Sequence, residues 1–170
     1  MYIYLQSDMS MANFDIVEIK ELSGKGAHIY TIRIQGASRT LLDEFFEENR
    51  DYADELRHIA NRLYVMGHDT GCRWDFFKHY EGKPGDGVSA LAVKKGRLRL
   101  YCMYFNDVMV ILGSGGYKSS NTRSYQETPA LDAKVKQMGD IASEINMMRS
   151  RDEFKIDTDG HIILEENEED

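Results

Sequence analysis

ALAVKKGRLRLYCMYFNDVMVILGSGGYK, residues 90–118, is the stretch on which the reading of the chain turns. Lys94-Lys95-Gly96-Arg97 makes a turn that feeds LRLYCMYF. Asn106-Asp107 makes the next turn, and VMVIL runs into Gly113-Ser114-Gly115-Gly116 before Tyr117-Lys118. Apolar runs this short, bounded by turn residues and rich in Val, Ile, Tyr and Phe, predict strands rather than helices. The stretch therefore reads as two or three consecutive strands, with cations at one end and a glycine-rich exit at the other.

Towards the N-terminus, FDIVEIKEL (14–22) and AHIYTIRIQ (27–35) alternate on either side of Ser23-Gly24-Lys25-Gly26, which predicts a hairpin. His28 falls in register with Tyr30, Ile32 and Ile34 and reads as a half-buried sheet residue. Leu41, Leu42, Phe45 and Phe46 form one helical stripe, with Ser38 or Thr40 as its N-cap. Tyr52, Leu56, Ile59, Ala60, Leu63 and Tyr64 form a second stripe that stops near Gly67. These predict two antiparallel helices, or one bent helix, packed on the sheet. Glu44, Glu47, Glu48, Asp51, Asp54 and Glu55 lie opposite the stripes and read as a solvated face rather than paired catalytic carboxylates.

Residues 68–89 are rich in loop signals around WDFFKHY. Trp74, Phe76, Phe77 and Tyr80 interleave with Arg73, Lys78, His79 and Lys83. Such alternation suits a base-stacking surface, but a tryptophan-centred edge of the core is the favoured expectation. Towards the C-terminus, Ser119–Glu127 reads as a polar linker and Thr128-Pro129 as a helix start. Leu131, Val135, Met138, Ile141, Ile145 and Met148 supply that helix with an apolar face. Residues 154–157 and 161–164 then predict a hairpin around Thr158-Asp159-Gly160. The domain expected is one unit over 1–164 with an acidic tail at 165–170.

The net charge of −8 is unevenly spread. Arg73 to Arg123 holds nine Lys or Arg against four Asp or Glu, whereas Asp152 to Asp170 holds nine acids against Lys155 alone. A local basic stripe matters more than the total for binding a polyanion. It also raises the expectation that the acidic segment folds over the basic face. Cys72 and Cys102, the only two cysteines, suit buried thiols in a reducing compartment. With no long apolar run and no signal-peptide pattern, the expectation is a soluble cytoplasmic protein without a membrane partner.

Chemistry with strong sequence signatures is not indicated. Counting from Gly113, Lys118 falls on the second glycine of a Walker A motif, and GSGG lacks dinucleotide-fold spacing. The five histidines are scattered, with no zinc-ligand spacing, and no nucleophile elbow appears. No metal or cofactor is expected. What remains is chemistry that needs only cations placed around a polyanion.

The element order and the text of residues 90–140 resemble the RelE/ParE superfamily of bacterial toxin–antitoxin toxins, most of all its HigB-like, phage-related branch. LRLY (98–101) is similar to the family's second strand, with Arg99 on its arginine. VMVILGSGGYKS (108–119) is similar to the third, with Lys118 and Ser119 on its closing Lys-Thr, and Thr128-Pro129 is similar to the T-P before the last helix. Gly113 and Tyr117 stand where the family has His and Lys. The resemblance implies an α+β, RelE-like fold. Its antiparallel central sheet would be packed by two N-terminal helices and one C-terminal helix, with an added C-terminal hairpin. It further implies metal-independent mRNA endoribonuclease activity, of the kind often exercised on the ribosome, and a cognate antitoxin of helix-turn-helix type. Arg99, Lys118 and Tyr117 are the implied catalytic residues, the first two for phosphate stabilisation and Tyr117, or alternatively His79, for proton transfer. Lys94, Lys95, Arg97, Arg73 and Arg123 are the implied RNA contacts. The alternative is the same fold as a non-catalytic module acting through a protein partner.

Overall fold

A computed structural model of the protein describes residues 2–4, 8–10, 13–119 and 129–165. The strands are β1 (Tyr2–Tyr4), β2 (Asp8–Ser10), β3 (Phe14–Glu18), β4 (His28–Ile34), β5 (Phe77–Lys78), β6 (Val88–Leu91), β7 (Leu98–Asn106), β8 (Met109–Tyr117), β9 (Phe154–Ile156) and β10 (Ile162–Glu165). The α-helices are α1 (Leu41–Glu48), α2 (Ala53–Val65) and α3 (Pro129–Ser150). The fold is α+β. One sheet runs in the order β2-β3-β4-β8-β7-β6-β5, and a small one in the order β1-β10-β9.

The predicted strands of residues 90–118 form a meander, β6-β7-β8, and the hairpin β3-β4 pairs as its alternation requires. The central sheet is mixed, however, and not antiparallel. β4 lies parallel to β8, with His28 opposite Met109 and Thr31 opposite Leu112. Parallel neighbours need a crossover, and the chain between β4 and β8 supplies one containing α1, α2 and the β5-β6-β7 edge.

Alternation then sorts the core into two layers. Leu98, Leu100 and Cys102 of β7 face a cluster that includes Phe45 of α1 and Ile59 and Leu63 of α2. Tyr101 and Met103 face the opposite cluster, which contains the Leu131, Val135, Met138, Ile141 and Ile145 stripe of α3. The small sheet joins that second layer through Phe154, Ile162 and Leu164. Among the described residues, no helix is long and apolar enough to cross a membrane.

Local chemistry explains the boundaries. Thr40 caps α1 by accepting the Asp43 amide at 3.2 Å. Asn49 closes it by donating its side-chain amide to the Phe45 carbonyl at 2.8 Å. The glycines 113–116 are not an exit loop but the end of β8 itself. A Cβ on Gly115 would overlap the Arg99 carbonyl, and one on Gly113 would meet Met138 Sδ at 2.6 Å. Bare backbone there lets β7, β8 and α3 close together around a register shift between Leu100 and Cys102.

Two other expectations change. Trp74 itself is not a core residue, being 53 % exposed, whereas Phe77 is buried in the core and Phe76 packs against it half-buried. The acids of α1 and α2 are not merely solvated either. Glu44 and Glu48 both hold Lys134 of α3, at 2.7 and 3.1 Å, and Glu55 has a structural task at the site below. The predicted linker after Ser119, with Arg123, together with Thr128 and the acids after Glu165, lies outside the described residues.

Candidate functional site

The turn between β6 and β7 is built from the cationic text of the sequence. Lys95 takes a left-handed conformation with φ 63°, and the Gly96 amide bonds to the Val93 carbonyl at 2.8 Å. Glu55 reaches over from α2, and its Oε1 accepts the amides of Arg97 and Leu98. A carboxylate accepting two backbone N–H groups is a charge-assisted anchor. It holds the turn while leaving the side chains of Lys94, Lys95 and Arg97 exposed.

These side chains line a groove of about 690 Å³ with Arg99 of β7, Lys78 of β5 and Arg62 of α2. Asp75 also lines it, against six cations. Among the described residues, no salt bridge involves Lys78, Lys94, Lys95, Arg97 or Lys118. Phe76 supplies a floor, with the Arg62 guanidinium 4.2 Å from its ring centroid. The guanidinium of Arg99 donates to the carbonyls of Leu98 at 3.0 Å and Gly96 at 3.3 Å. That fixes its direction within the groove.

Lys118 adjoins this group. Its amide donates to the Arg97 carbonyl at 2.7 Å. Its charge, after the larger influence of Arg99 and of burial, lowers the pKa of Lys78, while Glu81 acts in the opposite direction. Like charge crowded around a lysine, and burial beside it, disfavour the ammonium form. Tyr117 points elsewhere: its ring stacks on Tyr52 at 4.6 Å and 13° and does not line the groove. His79 lies outside it too, with Nε2 2.8 Å from the Trp74 carbonyl oxygen and Nδ1 3.0 Å from Ser89 Oγ. Arg73 is paired with Asp75 at 3.2 Å near the groove's edge.

The structure thus gathers Arg99, Lys94, Lys95 and Arg97, with Lys118 adjacent. Arg62 and Lys78 complete the group, and neither stands among the residues singled out from sequence for it. Lys78 had a signal, its place in the aromatic–cation alternation, whereas Arg62 follows Ile59 and precedes Leu63 on α2 as any solvated helix cation would.

The described part of the acidic segment does not cover this face. Gly160 packs against Val108, and Phe154 stacks on Phe105 at 5.9 Å, at the other end of β7. Eight residue steps along that strand amount to about 27 Å. Asp157, Asp159 and His161 bring ligand-type atoms within 4.8 Å of one another. The hairpin's own bonds account for that grouping: Asp157 Oδ1 accepts the amides of Asp159 and His161, each at 2.9 Å. No protein family, curated protein or solved structure matches the chain.

Proposed function

We propose that the groove binds the phosphodiester backbone of RNA, and that the protein is a RelE/HigB-like toxin that cleaves mRNA without a metal. The observation that carries this is the convergence of six cations on one groove in a chain of net charge −8. Resemblance of LRLY, VMVILGSGGYKS and Thr128-Pro129 to the toxin strands adds to it. An antitoxin partner follows from the same resemblance.

In this reading the RNA 2′-hydroxyl oxygen attacks the adjacent phosphorus to close a 2′,3′-cyclic phosphate, and the bond to the 5′-oxygen breaks as that oxygen takes a proton from solvent. Arg99 and Lys118 stabilise the charge that builds on the phosphoryl oxygens. Lys78 is suited to take the hydroxyl proton, because a lysine base needs a lowered pKa and Arg99 supplies that. Lys94, Lys95 and Arg97 hold the flanking backbone.

The second reading, a binding module without catalysis, is favoured by the engagement of His79 and the stacking of Tyr117 away from the groove. Induced expression in a bacterial host tests both. Growth arrest with mRNA cleavage is expected from the wild type, with cleavage reduced about 100-fold or more in Arg99→Ala. Arrest without cleavage assigns the protein to the second reading. No arrest, with folded protein abundant, overturns the toxin proposal.

A further inference from the structure

A second opening, of about 210 Å³, shares no lining residue with the groove but is built from the residues next to it in the chain. Asp75 to Lys78 line the groove, and the two residues that flank them in sequence, Trp74 and His79, line the opening. Their rings stack with centroids 3.3 Å apart and planes within 10°. Because both ring nitrogens of His79 are engaged, by the Trp74 carbonyl and by Ser89, the imidazole is a fixed support beneath the indole. Tyr104 stands edge-on to Trp74 at 5.4 Å.

The surrounding loop is braced. The Asp86 carboxylate accepts the amides of Lys83 at 2.8 Å and Val88 at 2.9 Å, and Asn146 of α3 donates to the Asp86 carbonyl at 3.0 Å. Within this firm frame Trp74 is 53 % and Tyr80 83 % exposed. Tyr80 is also held at φ 65°, a conformation that costs a non-glycine residue energy. Large aromatic surface left in water on a rigid mount is unfavourable for folding alone. It is what a protein needs in order to present a flat face to a flat ligand.

The chemistry of that ligand follows from size and setting. The opening is smaller than the roughly 300 Å³ at which drug-sized pockets begin, so it suits one planar ring system. The chain on which it stands also lines the groove proposed for a polyanion. A planar ring attached to a polyanion describes a nucleobase, and only an unpaired one offers its face. Tyr104 lies five residues beyond Arg99 on β7, about 17 Å along the strand. The base and the phosphates at Arg99 therefore belong to different nucleotides of one strand.

We propose that Trp74, seated on His79 and flanked by Tyr80 and Tyr104, stacks one unpaired base of an RNA strand whose backbone lies in the cationic groove. This inference rests on the RNA-binding reading of the groove. Trp74 is the chain's single tryptophan, so its fluorescence reports on the site alone.

The test titrates the full chain with a labelled single-stranded adenine RNA of about ten nucleotides, followed by anisotropy and by Trp74 emission. Inorganic polyphosphate serves as a polyanion without bases. RNA should quench Trp74, whereas polyphosphate should displace the RNA without quenching. Trp74→Ala should weaken RNA binding about 5- to 150-fold, the range for one stacked base, and leave polyphosphate binding unchanged. Trp74→Phe should restore most of the loss. A Lys94→Ala/Lys95→Ala variant should weaken both ligands. RNA binding that neither quenches Trp74 nor weakens in Trp74→Ala overturns the stacking site and leaves the groove intact. Binding of neither ligand overturns both.

Discussion

Lys78 sits where other cations converge, and Arg99 lowers its pKa most, followed by burial and by Lys118. In Arg99→Gln the largest of these influences disappears, so the Lys78 pKa should rise towards its ordinary 10.5. Side-chain NMR of the Lys78 ammonium group measures this, and an unchanged titration would mean that the two groups do not share one field. The sign is that of a disfavoured charge: the folded state binds this proton less tightly than the unfolded one. The penalty is present at neutral pH and is relieved as pH rises towards 10.5. At this scale the sequence was legible for Arg99, Lys94, Lys95 and Arg97, which lie together in one turn and the strand it starts. It was not legible for Arg62, because helical spacing shows which face is polar but not which polar residue meets a distant loop. Trp74 misled for a related reason. Hydrophobicity argues for burial, yet the backbone at 71–73 presents it to His79 at the surface, and no local pattern encodes that.

The elements that hold the site depend on backbone contacts more than on side-chain choice. Gly115 of β8 lies directly against the Arg99 carbonyl. Gly115→Ala is expected to cost about 3 kcal/mol, the upper end for overpacking, because backbone on both sides cannot yield. Urea denaturation would show it, and a cost below about 1 kcal/mol would mean that the strands can separate there. Glu55 is the counterpart on α2. Glu55→Ala should lower stability by about 1–3 kcal/mol and selectively deprotect the amides of Arg97 and Leu98, which hydrogen exchange reads directly. Equal protection in the variant would remove Glu55 from the scaffold of the turn. Alternation and turn residues made β3, β4, β7, β8 and the β9-β10 hairpin readable, β6 only from Ala90 onward, and spacing made the three helices readable. Strand order was not readable, since alternation gives the faces of a strand and says nothing of its neighbours. The glycines of β8 read as a loop because their purpose, close approach to β7 and α3, is a tertiary fact.

For the whole molecule, burial is a source of alkaline sensitivity. Burial, and then Asp107, pushes the Cys72 thiol from 9.0 up to about 12, and the same two causes push Tyr104 from 10.0 up to about 12. Both groups are held neutral in the fold. Their contribution is complete below the unfolded values and is lost as pH rises towards about 12. Unfolding midpoints in urea should therefore fall between pH 9 and 12, and Cys72→Ala should flatten that slope even if it lowers stability at every pH. An unchanged slope would show that other groups govern the loss. The parallel pairing of β4 with β8 has a consequence during synthesis. Thr31 finds its partner Leu112 only after 81 more residues have been made. At roughly 5–20 residues per second that is about 4–16 s in which the β4 edge is open. Truncated chains ending before Met109 and after Tyr117 both lack α3, but only the first keeps that edge, so it is expected to aggregate more than the second, as sedimentation of the two products would reveal. Each ribosome making this protein thus carries, for several seconds, a sticky half-sheet that the cell must keep from its neighbours.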